Sequence, residues 1–233
     1  MLNGATIVFD LDGTLVDTAP DLTNTLNHVL TARGYEPVAA DRVREAVGRG
    51  ARAMIEEALG MASAGEVDVD VDVMLADFLL HYEANIAVQS RPFPGAVAAL
   101  ERLRAAGARL AVCTNKRERL TRLLLRALKL DHHFAAIAGR DTFQVSKPDP
   151  GHLLGVIAAA GGEPGHALMV GDSAVDIRAA LGAGVPSILV SFGYCPPPPE
   201  GPQANAVIDH FDMLETSALP LLRGLTAKAA APS

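Results

Sequence analysis

Four short apolar runs, Thr6 to Phe9, Leu110 to Cys113, Ala167 to Val170 and Ser187 to Val190, each break off at a turn or polar cluster, and stretches with helical spacing lie between them. Strands that alternate with helices imply a parallel sheet covered on both faces, because parallel neighbours are joined by a crossover and a helix is the usual one. A weaker run at Ala206 to Ile208 extends the series. Between residues 18 and 90 the rhythm is helical instead, with no convincing strand. Leu22, Leu26, Val29 and Leu30 fall on one face until Gly34, with Asp21 as the expected N-cap, and further helical patterns cover Arg42 to Val47, Ala51 to Leu59 and Val73 to Ala87. The expected architecture is α/β: a doubly wound, Rossmann-like parallel-sheet core from residues 1–17 and 92–225, with a small all-helical domain, 18–91, inserted after the first strand. Residues 226–233 read as a frayed tail.

Composition narrows the function classes. The chain has 233 residues, 49% apolar and 20% charged, and no run approaches the roughly 18 uncharged apolar residues of a membrane span. Only four apolar residues precede Asp10 in the first strand, and neither the basic start nor the long apolar segment of a signal peptide is present, so a cytoplasmic location is expected. Cys113 and Cys195 sit in unlike contexts and are expected to be free thiols. A formal net charge of -7, with scattered Lys and Arg and no interleaved aromatics, argues against a nucleic-acid surface.

In an open parallel sheet, ligands bind outside the carboxyl ends of the strands, and the polar clusters of this chain lie at those ends. Asp10 and Asp12, two residues apart, point to the same side in extended geometry, and such carboxylates repel unless a cation or proton joins them. Asp172 and Asp176 repeat the arrangement after Ala167 to Val170 and share a face if a helix starts there. Several carboxylates without His or Cys suit Mg2+ rather than zinc. A plainer reading makes each Asp a helix or turn cap, which serves for one acidic turn but not for the set. An EF-hand calcium loop fails for lack of Glu at its twelfth position. Thr114 and Asn115, after Leu110 to Cys113, offer hydroxyl, amide and backbone N–H groups to an anion. Lys147, beside Pro148, offers an ammonium, although a lysine alone is more often a solvated surface group.

With these residues assembled, the chain resembles the haloacid dehalogenase superfamily of phosphatases over nearly its whole length. Phe9 to Thr18 fits the first motif, Val112 to Lys116 the second, Lys147-Pro148 the third and Gly171 to Asp176 the fourth. The resemblance implies that Asp10 is the nucleophile and that Asp12 is the acid, then the base. It further implies that Asp10, the Asp12 backbone carbonyl and Asp172 hold Mg2+ with support from Asp176. Thr114, Asn115 and Lys147 then bind phosphate, the helical insert is a mobile cap, and Arg49 in the cap contacts the substrate, a small phosphorylated metabolite. An acid at position 12 separates the chain from true dehalogenases, which protonate no alkoxide. A pyrophosphatase or a sugar-phosphate mutase would share these motifs, and a non-catalytic phosphometabolite sensor could share the fold. Product analysis separates a mutase from a phosphatase, and multiple turnover excludes a sensor.

Several patterns point elsewhere and are weighed down by context. Cys113 and Arg119 have the Cys-x5-Arg spacing of thiolate phosphatases, but the intervening residues contain no Gly to wrap a phosphate loop. Gly48 to Ala53 matches G-x-G-x-x-A, yet what precedes it looks helical rather than extended. Glu66 to Val73 alternates acid and Val and reads as an acidic lead-in to a helix. His132-His133 read as a solvated loop, and Pro196 to Pro199 as a stiff turn.

Overall fold

The computed structural model describes residues 2–61, 70–197 and 199–229, with side chains through residue 223. β1 (Thr6–Phe9) is buried throughout and gives way to a polar loop at Asp10. A short β2 (Val16–Asp17) leads into four helices: α1 (Ala19–Thr31), α2 (Ala40–Val47), α3 (Ala51–Met61) and α4 (Val71–Ala84). The chain returns through β3 (Arg91–Pro92), which pairs antiparallel with β2. Helix and strand then alternate: α5 (Ala96–Ala105), β4 (Arg109–Cys113), α6 (Glu118–Ala127), β5 (Ala136–Ala138), α7 (Pro150–Ala159), β6 (Ala167–Gly171), α8 (Ala174–Ala183), β7 (Ser187–Val190), β8 (Ala206–Ile208) and α9 (Leu214–Ala229).

The six-stranded sheet has the order β5-β4-β1-β6-β7-β8, and every pairing in it is parallel. The fold is the expected doubly wound α/β arrangement. Strand residues alternate between two apolar layers, as the pleat dictates. Ile7 and Phe9 face a layer with Leu100, Leu124 and Phe211, whereas Val8 faces one with Leu153, Val156 and Met169. The chain winds from β1 outward to β5, then crosses to β6 on the other flank of β1, so the switch in winding direction lies between β1 and β6. Register aligns Phe9 with both Val112 and Val170, which brings Asp10, Thr114 and Asp172 to one edge of the sheet.

Residues 22 to 82 build an apolar cluster of their own, including Leu26, Leu30, Ile55, Met74, Phe78 and Tyr82, joined by Leu120 of α6. The two chain passes into this helical segment are tied by the β2–β3 ribbon, by Phe93 N–H donating to the Leu15 carbonyl (3.0 Å), and by Asp21. Asp21 corrects an expectation. It does not cap α1, whose N-cap is Thr18; it is buried and accepts from the N–H groups of Gln89 (2.9 and 3.0 Å) and Ser90 (2.8 Å) and from the Ser90 hydroxyl (2.7 Å). A carboxylate with several donors is better satisfied there than at an exposed helix start.

Other differences are smaller. β5 and the β2–β3 ribbon are strands that periodicity did not disclose. α9 continues through Ala229, past the expected fraying point at residue 226. Asp70 caps α4 by accepting from Asp72 N–H (2.9 Å) and Val73 N–H (3.2 Å), and residues 66–69 of that acidic stretch lie outside the described residues. His133 is buried rather than solvated. Among the described residues, no helix is long and apolar enough to cross a membrane.

Candidate active site at the sheet edge

Asp10 continues the ladder of β1, its N–H donating to the Val170 carbonyl (2.9 Å), so the backbone that places its side chain is part of the sheet. Its Oδ1 accepts from Leu11 N–H (2.7 Å) and lies 2.9 Å from Lys147 Nζ. The same ammonium lies 2.6 Å from Asp176 Oδ1, and the Lys147 side chain is 1% exposed. Asp176 uses its other oxygen to cap α8, accepting from the Ser173 N–H (3.1 Å) and hydroxyl (2.6 Å). Asp172 accepts from Thr14 Oγ1 (3.2 Å) and from Tyr194 N–H (2.7 Å). Gly13, at φ +80°, passes so close that an added Cβ would lie 2.5 Å from Asp172 Oδ2. A left-handed backbone and that clearance together require glycine.

One carboxylate oxygen each from Asp10, Asp172 and Asp176 lies within 4.8 Å of the others. Burial, opposed by Lys147 and reinforced by Asp176 and Asp172, pushes the Asp10 carboxyl up to about 7. Burial and the neighbouring Asp176 push Asp172 up to about 6. Three carboxylates against one ammonium leave a negative excess, and hard oxygen donors of this kind fit a divalent cation such as Mg2+. Lys147 is itself held in place: His152 Nδ1 accepts its backbone N–H (3.1 Å), and burial, then the Lys147 charge, push that imidazole down to about 4, so it stays neutral. For Lys147, burial works against the charge, but Asp10 and Asp176 override it and hold the ammonium above the ordinary lysine value.

Asp12 stands apart from the trio. Its Oδ1 accepts from Thr18 Oγ1 (2.7 Å) and its Oδ2 from Lys116 Nζ (2.8 Å). Its carboxylate thus faces Thr18 and Lys116 rather than the other three acids. Thr114 is buried at the end of β4, its N–H donating to the Ala138 carbonyl (3.1 Å). Asn115 donates its amide to the carbonyls of Lys147 (3.0 Å) and Gly48 (3.4 Å), linking the core to the helical segment, and its buried Oδ1 has no hydrogen bond among the described residues. Between sheet edge and helices lies a cavity of about 580 Å3 lined by residues that include Asp12, Val47, Tyr82, Asn115, Lys116 and Arg140.

Arg49 is the candidate that the structure leaves out. Its side chain is 55% exposed, paired with Glu57, and absent from the cavity wall, because that ion pair within the helical segment draws it off. Lys116 is the residue missed: it stood inside the second motif without a role, and its partners are distant in sequence. The decoys dissolve. Cys113 is fully buried and its thiol is pushed up to about 12, first by burial, while Arg119 pairs with Glu83. Gly48 follows one helix and Ala51 begins another, so no strand precedes the glycines. Both cysteines are free.

A doubly wound sheet with carboxylates, lysine and threonine at its switch point defines a hydrolase class, and the profile of the haloacid dehalogenase-like hydrolases matches residues 7–190. The chain belongs to that family and is an enzyme of the phosphoric monoester hydrolase class. It is 46% identical over 224 residues to the phosphoglycolate phosphatase of Agrobacterium fabrum, covering 96% of this chain and 95% of that protein. It is 50% identical over 209 residues to the phosphoglycolate phosphatase of Mesorhizobium japonicum, covering 89% and 92%. Among solved structures, a predicted phosphoglycolate phosphatase from Haemophilus somnus superposes with a TM-score of 0.84 at 28% identity, covering 93% of this chain and 98% of that one.

Proposed function

We propose that the chain is a Mg2+-dependent phosphatase that hydrolyses 2-phosphoglycolate to glycolate and phosphate in the cytoplasm, through an aspartyl phosphate on Asp10. The observation that carries this reading is the Lys147 ammonium held between Asp10 (2.9 Å) and Asp176 (2.6 Å), with Asp172 beside them, at the switch point of the sheet. Asp10 attacks phosphorus in line and takes the phosphoryl group as the ester oxygen departs. Asp12 gives that oxygen a proton and later takes one from the water that releases phosphate. Lys147 and the Thr114 hydroxyl face the equatorial oxygens, where charge spreads in the transition state. Asn115 joins them by releasing its present carbonyl partners. Asp10, the Asp12 carbonyl and Asp172 would hold Mg2+, and Asp176 acts by fixing Lys147 and the start of α8. When bound, the ion screens the nucleophile from the phosphate dianion.

Residues 1–17 and 92–225 are assigned as the catalytic core and 18–91 as a cap that closes over the site and excludes water. The substrate assignment is supported by the similarity to the phosphoglycolate phosphatases of Agrobacterium fabrum and Mesorhizobium japonicum. Phosphate release from 2-phosphoglycolate, pyrophosphate, hexose phosphates and nucleoside monophosphates, each with Mg2+ and with chelator, tests the reading. It expects 2-phosphoglycolate to lead in kcat/KM and chelator to abolish release. A different leading ester would overturn the substrate, and metal-independent release would overturn the mechanism.

A further inference from the structure

We propose that Lys116, with Tyr82 above it, reads the carboxylate of the substrate and so restricts the site to phosphate esters of 2-hydroxy acids. The inference rests on the phosphatase reading and adds the residues that choose the ester. In such an ester a single carbon separates the carboxylate from the ester oxygen. Asp12 has to reach that oxygen to protonate it. Once Asp12 has given up that proton, the substrate carboxylate lies next to an ionised Asp12, and two like charges in a half-closed cavity need a cation between them.

Lys116 is placed for that task. Its Nζ is 2.8 Å from Asp12 Oδ2, its side chain is 6% exposed, and it lines the cavity. An ammonium has three donors, and Asp12 engages one. The Tyr82 ring, from α4, lies 4.8 Å from Nζ, a cation–π distance that fixes the ammonium from the helical side. Among the described residues the buried Tyr82 hydroxyl makes no well-formed hydrogen bond and has only Lys116 close to it, so it has room to donate to a substrate carboxylate. Burial pushes that hydroxyl up to about 12, so it remains a donor.

The other cations near the cavity are less suited. Lys147 is committed to Asp10 and Asp176. Arg49 pairs with Glu57, and Arg52 with Asp72 and Glu56. Arg117 and Arg140 line the cavity but are exposed, and neither has an ion pair with Asp12.

The test compares kcat/KM for 2-phosphoglycolate with that for 2-hydroxyethyl phosphate, the same ester with a hydroxymethyl group in place of the carboxylate. The wild-type enzyme should prefer the acid. Lys116→Met should reduce that preference by about 30-fold, the scale of a lost charge-assisted contact, and Lys116→Arg should restore part of it. Tyr82→Phe should reduce it by about threefold to tenfold, the scale of one neutral hydrogen bond. A parallel loss on both esters, with the preference unmoved, would mean that Lys116 only holds Asp12 and would overturn the inference. A wild-type enzyme without preference for the acid would instead sink the substrate reading beneath it. Should the Met variant not fold, Lys116→Gln and Tyr82→Phe carry the same readout.

Discussion

The end of the sheet and the helical segment are built on opposite principles. At the end of the sheet, Lys147 is buried between Asp10 and Asp176, and Asp172 is buried beside them and held by Thr14 and Tyr194. On the helical side, Arg49 and Arg52 are about half exposed and spend their charge on acids of the same segment. Preorganised charge in a dry site stabilises a transition state without reorganisation, whereas an exposed ion pair is worth little and exchanges readily. The charges at the end of the sheet are therefore preorganised, whereas those on the helical segment are free to exchange partners. Tyr82 is the exception on the helical side, being buried and already in contact with Lys116 across the cavity.

The contrast can be broken on either side. Asp10→Asn should lower kcat by on the order of 10⁴-fold while thermal unfolding stays close to wild type, since Asn keeps the hydrogen bond from Leu11. Substantial residual turnover would refute the nucleophile. Lys147→Met should lower kcat by about 10³-fold and, by leaving two buried carboxylates without their cation, lower stability by about 3 kcal/mol, seen as a lower denaturation midpoint. An unmoved midpoint would show that the cluster is not preorganised by this lysine.

Asp21→Ala tests how the helical segment is anchored. Losing its bonds to Gln89 and Ser90 should cost about 2 kcal/mol of stability and raise KM more than it lowers kcat. A pure loss of kcat would place the anchor in the chemistry instead. The smallest effect belongs to Arg49→Ala, expected within about twofold of wild type in kcat/KM because exposed ion pairs contribute little. A tenfold loss would mean that closure swings Arg49 away from Glu57 and into the cavity.

The same contrast explains what could be seen in advance. Asp10, Asp172 and Lys147 were legible because uninterrupted apolar strands end beside them or a proline marks the loop, and those signals are local. β5 was not, since Ala136-Ile137-Ala138 carries one branched residue, and the two-residue strands β2 and β3 are too short to show a period. Asp21 looked like a cap because its partners, Gln89 and Ser90, lie 68 and 69 residues away. Lys116 was hidden for the same reason: Asp12 is 104 residues before it, and only the folded sheet brings them together. Arg49 does not reach the cavity wall because its partner, Glu57, competes for it within the helical segment.

The most direct test of the central claim is acid quench of the enzyme during turnover of 2-phosphoglycolate, followed by peptide mass analysis. The expected result is one hydroxylamine-sensitive phosphoryl group on the peptide containing Asp10, present with Mg2+ and absent with chelator. Phosphate on another residue, or turnover with no phosphorylated peptide when Asp10→Asn remains active, would contradict it.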